Sequence, residues 1–429
     1  MTEQSLTDAA PRALLRALFD AAVARADPAQ VLADYLPPAP KGRIAVVGAG
    51  KAGASMAQAF EQVWSGTFQG LVLVPYGYRR PCRDIEIIEA GHPIPDAAGQ
   101  AGAQRILTLA HSLGSDDLLL CLLSGGGSAL LSLPLPGTCL KEKQAITRQL
   151  LSCGATIHEI NTVRKHLSAI KGGRLAQAAY PARTTSLVIS DVPGDDPATI
   201  ASGPTTGDST TCAHARAVLA RYQINISPTI STLLQSAAAE SPAAGELQLS
   251  RSALSIIGTA ADALAAAGAL AVSQGFDVIN RGDREEGIAR ELARIHAQLL
   301  HTSHPASAHG RNTLFLSGGE TTVAVRGAGK GGRNQEYLLA LAIELGGRAN
   351  TFAIACDTDG IDGASDAAGA IITPDSLARA ARLGIDPHAY LARNDAGAFF
   401  EKLGDTIVTG PTYTNVNDFR AIACFQRRG

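Results

Sequence analysis

The stretch of sequence that most restricts the fold is a short apolar run that continues directly into a glycine loop. Residues 43–47 (RIAVV) are typical of a buried β-strand. The G-x-G-x-x-G spacing follows at once, with Gly48, Gly50 and Gly53. A strand that turns into a helix through such a loop is typical of a parallel β-α-β unit that binds a dinucleotide. The loop also contains a lysine, Lys51. Whether the loop binds the phosphates of a dinucleotide or a different phosphate group therefore stays open at this point.

The same alternation of apolar runs and helical stretches continues along the chain and predicts an α/β protein. In the first half, the predicted strands are 43–47, 70–74, 85–89, 117–123 and 185–190. Apolar runs of this length, separated by helices, indicate a mainly parallel sheet that is covered on both faces. In the second half, the predicted strands are 254–257, 276–280, 313–317, 322–326, 351–355 and 406–408, which indicates a second α/β domain with mixed strands.

A turn-rich segment of small and polar residues, 205–250, separates the two halves. We place the domain boundary near residue 245, which gives an N-terminal domain over 1–245 and a C-terminal α/β domain over 246–429. The N-terminal domain then includes an amphipathic helix predicted over residues 12–35.

The composition restricts the class of protein. The net charge is −2 and aromatic residues are 4% of the chain, so neither a basic field nor a stacking platform for nucleic acid is expected. The seven cysteines are scattered and form no C-x-x-C pair, which argues against a disulfide framework or a zinc site. No run near the N-terminus is apolar and long enough for a signal peptide or a membrane span. We therefore expect a cytoplasmic protein with small-molecule partners and no nucleic-acid or membrane partner.

Four loops at predicted strand ends carry residues suited to anion or metal chemistry. Besides the loop around Lys51, they are Ser124-Gly125-Gly126-Gly127-Ser128, Ser317-Gly318-Gly319-Glu320 and the run CDTDGIDGASD with Asp357, Asp359 and Asp362. Ligands of open α/β sheets bind at the carboxyl ends of the strands, where glycine loops and helix N-termini attract anions. Each loop alone also has an ordinary explanation as a tight turn or a helix cap. The four together favour phosphate binding.

The first glycine loop suggests the hypothesis that the chain binds a nicotinamide dinucleotide, and the residues at the end of the second predicted strand test this nicotinamide hypothesis. A dinucleotide site has an acidic residue there for the ribose, whereas this chain has Arg79 and Arg80. Two arginines suit a 2′-phosphate, so an NADP enzyme stays open. A Walker A loop is absent because neither Lys51 nor Lys330 is followed by Ser or Thr.

Two further segments carry charge. Residues 161–176 predict a helix on which Arg164 and Lys171 share a face, which taken alone is typical of a solvated basic surface. The loop over 190–205 follows a strand, and its prolines stiffen a segment that contains Asp191. Stiff acidic loops at strand ends position carboxylates for metal binding or proton transfer.

Nine segments together resemble the glycerate 2-kinase family with a C-terminal MOFRL domain, whose members are often labelled hydroxypyruvate reductases. The resemblance runs in order from about residue 12 to about residue 420, and it departs from the family pattern at Tyr413, where a glycine or another small residue is expected. The segments are VVGAGKAGASMA, GHPIPDAAG, LLSGGGSALL, INTVRKHLSAIKGGRLA, ISDVPGDDPATIASGPT, LSGGETTV, GKGGRNQEYLLALA, DTDGIDGASDAAGA and GPTYTNVND.

The resemblance implies an ATP-dependent, Mg²⁺-assisted phosphorylation of (R)-glycerate at its 2-hydroxyl, which gives 2-phosphoglycerate. It also implies a Rossmann-like N-terminal domain, a second α/β domain with the MOFRL region at about 310–420, and an active site in the cleft between them. Lys51 and Arg333 are carried over as active-site residues. The sequence does not define an oligomeric state, so a homodimer stays open.

The charged residues fit phosphoryl transfer, which depends on positioning and charge neutralisation. Lys51 can meet the transferring phosphate, and the Arg333 fork suits a carboxylate or phosphate. Arg164 or Lys165 is the candidate for the glycerate carboxylate. Asp191, Asp357 and Asp359 are candidates for Mg²⁺ or for accepting the hydroxyl proton, with Glu320 a further metal candidate. The predicted phosphate-binding set is Gly48, Gly50, Gly53, Ser124, Gly125, Gly126, Gly127, Ser128, Gly318 and Gly319.

Two alternatives stay open at this point. One is an NADPH-dependent reductase of hydroxypyruvate or tartronate semialdehyde, and the other is a sensor that binds a nucleotide or sugar phosphate without turnover.

Overall fold

The described part of the chain divides into two units, each built on a six-stranded sheet. The computed structural model describes residues 9–302 and 311–426. The N-terminal unit is Pro28–Ile257, and the C-terminal unit combines the described residues before Pro28 with those from Gly258 onward.

The N-terminal unit is built on a six-stranded sheet with the order β3-β2-β1-β4-β5-β6. The four pairings from β3 across to β5 are parallel. This is the strand order of the Rossmann fold, and it confirms the predicted mainly parallel sheet. The strands are β1 Ile44–Ala49, β2 Gln69–Pro75, β3 Ile85–Ala90, β4 Leu118–Leu123, β5 Arg183–Ile189 and β6 Ser252–Gly258.

Hydrophobic cores hold the helices of the N-terminal unit. One core packs helices against one face of the sheet, and a second core is formed between helices by residues that include Leu150, Ile160 and Leu219. This second core determines where the basic residues on α6 and α7 are held. Together with the first described helix, the described helices up to Ile257 are α1 Ala9–Arg25, α2 Pro28–Val31, α3 Gly53–Val63, α4 Ala97–His111, α5 Gly127–Leu130, α6 Leu140–Ser152, α7 Ile157–His166, α8 Arg174–Ala179, α9 Cys212–Arg221 and α10 Pro228–Leu233.

The C-terminal unit contains a second six-stranded sheet with the order β13-β12-β11-β14-β9-β7. The β7–β9 pair is parallel and the other pairs are antiparallel, so the predicted mixed strands are confirmed. Its strands are β7 Phe276–Asn280, β9 Asn312–Gly319, β11 Thr351–Asp357, β12 Gly369–Ile372, β13 Thr406–Ile407 and β14 Asp418–Cys424, and a separate two-stranded ladder pairs β8 Gly287–Ile288 with β10 Thr321–Thr322.

Seven helices cover this second sheet, counted over the described residues. A hydrophobic core packs α12 and α13 against the sheet through residues such as Leu292 and Leu338. No described helix, in either unit, has the length and apolar character needed to span a bilayer. The helices of this unit are α1, given above, with α11 Ala260–Ser273, α12 Ala289–Thr302, α13 Arg333–Leu345, α14 Ser376–Arg382, α15 Pro387–Ala392 and α16 Ala396–Leu403.

The observed units differ from the predicted domains at both ends. The helix α1 ends at Arg25 rather than running to residue 35, and it packs on the C-terminal unit, where the Phe19 and Phe419 rings lie 5.9 Å apart. The strand β6, predicted to open the second domain, instead adds to the first sheet beside β5. The boundary therefore lies at 257/258 rather than near 245, because an edge strand of the first sheet follows the turn-rich segment.

The sequence patterns missed the central strand β14 and overestimated another strand. β14 is buried along its whole length, yet it contains Asp418 and Arg420, whose charges hide the apolar run. The two side chains pair with each other inside the protein. The strand predicted at 322–326 is reduced to the two residues of β10, because only Thr321 and Thr322 find a partner strand.

Candidate functional site

In the N-terminal sheet the strand order reverses between β1 and β4, because β2 and β3 lie on one side of β1 and β4 lies on the other. Open α/β sheets bind their ligands at the carboxyl ends of the strands beside such a point. The loop after β1 contains Lys51, and the loop after β4 is formed by residues 124–126, with Gly127 and Ser128 at the start of α5. Both loops were predicted to bind phosphate.

The backbone amides of the loop after β1 are already engaged within the protein. Two of the four partners come from the loop after β4, so the two loops close on each other. A pyrophosphate in the dinucleotide position would have to displace these bonds, which argues against the nicotinamide hypothesis. The bonds run from the amides of Gly50 to Leu73 O (3.1 Å), Lys51 to Gly125 O (2.8 Å), Ala52 to Ser124 Oγ (3.0 Å) and Gly53 to Gly50 O (3.0 Å).

Close packing explains the three glycines of the fingerprint. A Cβ on Gly48 would lie 2.4 Å from Leu122 O, and one on Gly53 would lie 2.8 Å from a methyl group of Val72. Gly50 has φ +139°, and a Cβ there would lie 2.1 Å from Ser124 Oγ. The structure therefore gives these glycines, and Ser124, a role in locking the two loops together.

We expect Gly50→Ala to lower the free energy of unfolding by about 2–5 kcal/mol, since backbone strain and overpacking both contribute. Urea unfolding measures the change. Gly114→Ala is the matched control, because Gly114 is exposed and a Cβ there meets only Asp117, at 4.0 Å. Equal stability of the two variants would contradict the proposed lock.

The side chain of Lys51 lies beside Gly126 and His92. A Cβ on Gly126 would lie 3.7 Å from Lys51 Cγ and 3.0 Å from His92 Cδ2, so the glycine lets both side chains approach the loop. Gly126 also has φ +83°, a backbone conformation that favours glycine. His92 is thus a candidate site residue that sequence reasoning treated as an ordinary hydrogen-bonded histidine.

The segments that follow His92 and Gly126 continue into the wall of a cavity of about 280 Å³. Pro93 and Ser128 line it, and so do four cationic side chains, whereas no described lining residue is acidic. Lys143 and Lys171 are buried at 7% and 2% exposure. The cations are Lys143, Arg148, Arg164 and Lys171.

The inner cations of this cavity repel one another. Burial and the neighbouring Arg164 and Arg174 lower the pKa of Lys143 to about 7. Burial, with Lys143 and Arg164, also lowers the pKa of Lys171 well below its ordinary value. Lys171 Nζ donates to Ser128 O at 2.8 Å, while Lys143 Nζ has no hydrogen-bond partner among the described residues. A buried cluster of one charge sign without a counter-charge is the arrangement expected of an anion site.

The structure separates the two predicted carboxylate-binding residues. Arg164 lines the cavity, but Lys165 does not, because its ammonium forms a buried ion pair with Asp208 at 2.7 Å. The predicted helix over 161–176 is also interrupted, since α7 ends at His166 and the glycines before α8 have positive φ. This break brings Lys171 back toward Ser128, so Arg164 and Lys171 meet at one cavity.

The loop after β5 supports the same region. Ser202 is fully buried with φ +61°, and its hydroxyl is hydrogen-bonded to Ser128 Oγ at 2.8 Å. A non-glycine residue held in this conformation indicates local strain, which is common near functional sites. Asp191, a predicted catalytic residue, lies half-buried two positions after β5.

The C-terminal unit contains an ion-pair network around Arg333, the first residue of α13. Its guanidinium donates to Asp418 at 2.7 Å, Glu320 at 2.8 Å and Asp357 at 3.0 Å. Burial alone lowers the pKa of Arg333, but these carboxylates raise it above its ordinary value. Burial raises the pKa of the neighbouring Asp362 to about 6, although its carboxylate accepts two amides at the start of α13.

The predicted metal residues lie around this arginine. Glu320 and Asp357 both accept from Arg333, and the amide of Asp359 donates to Asp357 Oδ1 at 3.1 Å. Among the described residues, the trio whose ligand atoms lie within 4.8 Å of one another is elsewhere: His166, Cys212 and Glu240. In that trio, the Glu240 carboxylate already accepts a hydrogen bond from the Cys212 amide at the start of α9. The position of Glu240 is therefore explained by capping of this helix. The predicted metal set therefore stays a prediction.

Two other predicted positions have packing explanations. Gly318 and Gly319 pair with β14, and a Cβ on Gly319 would lie 2.3 Å from Glu285 O. These glycines were predicted to bind phosphate, and the structure instead accounts for them by close approach of the backbone. Tyr413 has φ +59°, which explains why a glycine suits that position.

The comparisons with known proteins cover both units. Residues 14–235 match the family described as "Domain of unknown function (DUF4147)", and residues 313–418 match the MOFRL family. A protein of Agrobacterium vitis with the provisional name hydroxypyruvate reductase is 48% identical over 97% of this chain and 95% of its own length. The D-glycerate 2-kinase of Thermotoga maritima is 40% identical over 91% of this chain and 93% of its own length.

A solved structure extends the similarity to three dimensions. The crystal structure of glycerate kinase from Thermotoga maritima matches with a TM-score of 0.88 and 37% identity, covering 97% of this chain and 99% of that one. The chain therefore belongs to the glycerate kinase family in which a DUF4147 domain is combined with a MOFRL domain.

Proposed function

We propose that the protein is an ATP-dependent kinase that phosphorylates (R)-glycerate at the 2-hydroxyl and releases 2-phosphoglycerate and ADP. The observation that carries the proposal is the cationic cavity lined by Pro93 and Ser128, which closely follow the His92 and Gly126 that lie beside Lys51, in a chain that belongs to the glycerate kinase family. A small hydroxy acid needs one anchored carboxylate, and the cavity offers Arg164 and Lys171 for it.

Substrate binding and phosphate neutralisation are assigned to different parts of the N-terminal unit. Arg164 offers a planar fork for the carboxylate, and Lys171 adds a second donor. The hydroxyl of the bound acid attacks the terminal phosphorus of ATP, the bond to the bridging oxygen breaks, and ADP leaves. Lys51 neutralises charge on the transferring phosphate oxygens. The hydroxyl proton passes to a base, for which His92 and Asp191 are the candidates.

Magnesium fits the oxygen-rich cluster of the C-terminal unit. Mg²⁺ prefers oxygen ligands and is often held by one or two carboxylates together with substrate phosphates and water. Asp357 and Asp359 would hold it, and the ion would neutralise the phosphates of the nucleotide. Both are buried and together with Glu320 they give this cluster an excess of negative charge over Arg333.

The competing function is an NADPH-dependent reduction of hydroxypyruvate, which the provisional name of the Agrobacterium vitis relative favours. The engaged amides of the loop after β1 oppose it, because they are the groups that a dinucleotide pyrophosphate would need.

One pair of assays separates the two functions. We expect ADP to form only when ATP, Mg²⁺ and glycerate are all present, and we expect the product to be consumed directly by enolase, which accepts 2-phosphoglycerate but not the 3-isomer. NADPH oxidation with hydroxypyruvate should stay at the level of the enzyme-free control. Glycerate-dependent ADP formation whose product enolase rejects would overturn the 2-hydroxyl assignment, and NADPH oxidation without ADP formation would favour the reductase.

A further inference from the structure

The cationic cavity has more positive charge and more space than a single monoanion uses. Lys143, Arg164 and Lys171 lie at one cavity, and no described residue that lines it supplies a carboxylate. A glycerate carboxylate compensates one of these charges. The volume of about 280 Å³ far exceeds the roughly 10–15 Å³ that one water molecule needs on the same measure, so the cavity has room for a ligand with a second anionic group.

Lys143 is the group that the glycerate carboxylate leaves unused. It lies on α6, whereas Arg164 lies on α7 and Lys171 lies in the turn that follows α7. Its ammonium is buried and lacks a hydrogen-bond partner among the described residues, while Lys171 at least donates to Ser128 O. A buried ammonium with unsatisfied donors is costly unless a ligand supplies the acceptor.

We propose that the cavity is a dianion site, which binds compact 2-hydroxy acids carrying a second anionic group, either a carboxylate or a phosphate, with Lys143 binding that second group. The inference rests on the proposed function, since it takes Arg164 and Lys171 as the partners of the first carboxylate. The proposed product, 2-phosphoglycerate, has its phosphate on the 2-oxygen and so is also a compact acid with a second anionic group, and we expect it to compete with glycerate for the cavity.

Binding of the second group is linked to a proton. The charged groups that act on Lys143 are Arg164 on α7 and Arg174 on α8, and Lys171 is a further cation of the cavity. Burial, together with Arg164 and Arg174, disfavours the protonated form of Lys143 and lowers its pKa to about 7. An anion favours the protonated form. Dianion affinity is therefore highest below pH 7 and falls as the pH rises through 7, and binding near neutral pH takes up protons.

The test is calorimetric titration of the full chain, without nucleotide, with hydroxymalonate and separately with (R)-glycerate. We expect hydroxymalonate to bind about tenfold or more tightly, as one added charge-assisted hydrogen bond allows. Lys143→Met should bring the ratio of the two affinities close to one. It should also remove the part of the proton uptake that comes from Lys143, which is measured by comparing the binding enthalpy in buffers of different ionisation enthalpy. Lys141→Met, on the exposed side of the same helix, is the matched control and should keep the ratio.

The outcomes separate this inference from the proposed function. If the wild-type protein phosphorylates glycerate but binds hydroxymalonate no more tightly than glycerate, the dianion site is overturned and the kinase stands. If hydroxymalonate binds more tightly and the preference depends on Lys143, the dianion site stands, even where the kinase assay gives no ADP. A preference that persists in Lys143→Met overturns the role of Lys143.

Discussion

Lys51→Ala is expected to lower kcat for glycerate phosphorylation by about 10²–10³-fold, the usual cost of removing one group that stabilises transition-state charge. The fold should stay intact, because the side chain is half-buried and lies in a loop beside Gly126 rather than in a hydrophobic core. Steady-state kinetics with ATP and glycerate measure the effect, and thermal unfolding checks the fold.

The matched control for this change is Lys41→Ala, an exposed lysine of the same unit that precedes β1. We expect its kcat to equal that of the wild type. An active Lys51→Ala enzyme would show that the loop lysine does not meet the transferring phosphate. A loss of kcat accompanied by unfolding would mean that Lys51 supports the two interlocked loops instead.

The sequence patterns were sufficient for the framework of the fold and for the location of the first loop. Strand β1 and its glycine loop are local features, so the apolar run and the G-x-G-x-x-G spacing predicted them correctly. The use of the loop amides depends on Ser124 and Gly125, which lie some seventy residues further along the chain. Contacts across that separation leave no local signal, so the phosphate role and the packing role of the glycines looked alike.

The sequence patterns predicted only some of the residues that line the cavity. Arg164 and Lys171 were predicted to share a basic face of one helix, although that pattern alone favoured a solvated surface. Lys143 has no such signal, because the run LKEKQ is typical of an exposed helix. Its burial follows from the helical core around Leu150 and Ile160, which turns α6 toward α7. The ion pair of Lys165 with Asp208, which opposes its predicted role as a carboxylate-binding residue, has no local signal because Asp208 lies on a loop distant in the sequence.

The mixed sheet gives a similar lesson about charge. Arg420 is buried in the middle of the sheet, where a pattern of apolar residues predicts no arginine. Its partner Asp418 is also the partner of Arg333, so one fully buried carboxylate neutralises parts of two guanidinium groups. The buried charge of Asp418 therefore has two effects: it interrupts the apolar pattern of β14, so that the strand was missed, and it holds the Arg333 guanidinium in place.

Arg333→Met is expected to lower the free energy of unfolding by about 3–5 kcal/mol, because it leaves the buried Asp418 without one of its cations. Three carboxylates lie in different directions around the guanidinium, at 2.7–3.0 Å, and Asp418 is 0% exposed. Arg333→Lys keeps the charge but offers no planar fork, so we expect an intermediate loss. Urea unfolding measures both variants, and kcat is compared below their unfolding temperatures.

Arg326→Met, at an exposed position of the same unit, is the control. Unchanged stability of Arg333→Met, with a large loss of kcat, would show that Arg333 acts on the phosphate and that the ion-pair network adds little to folding.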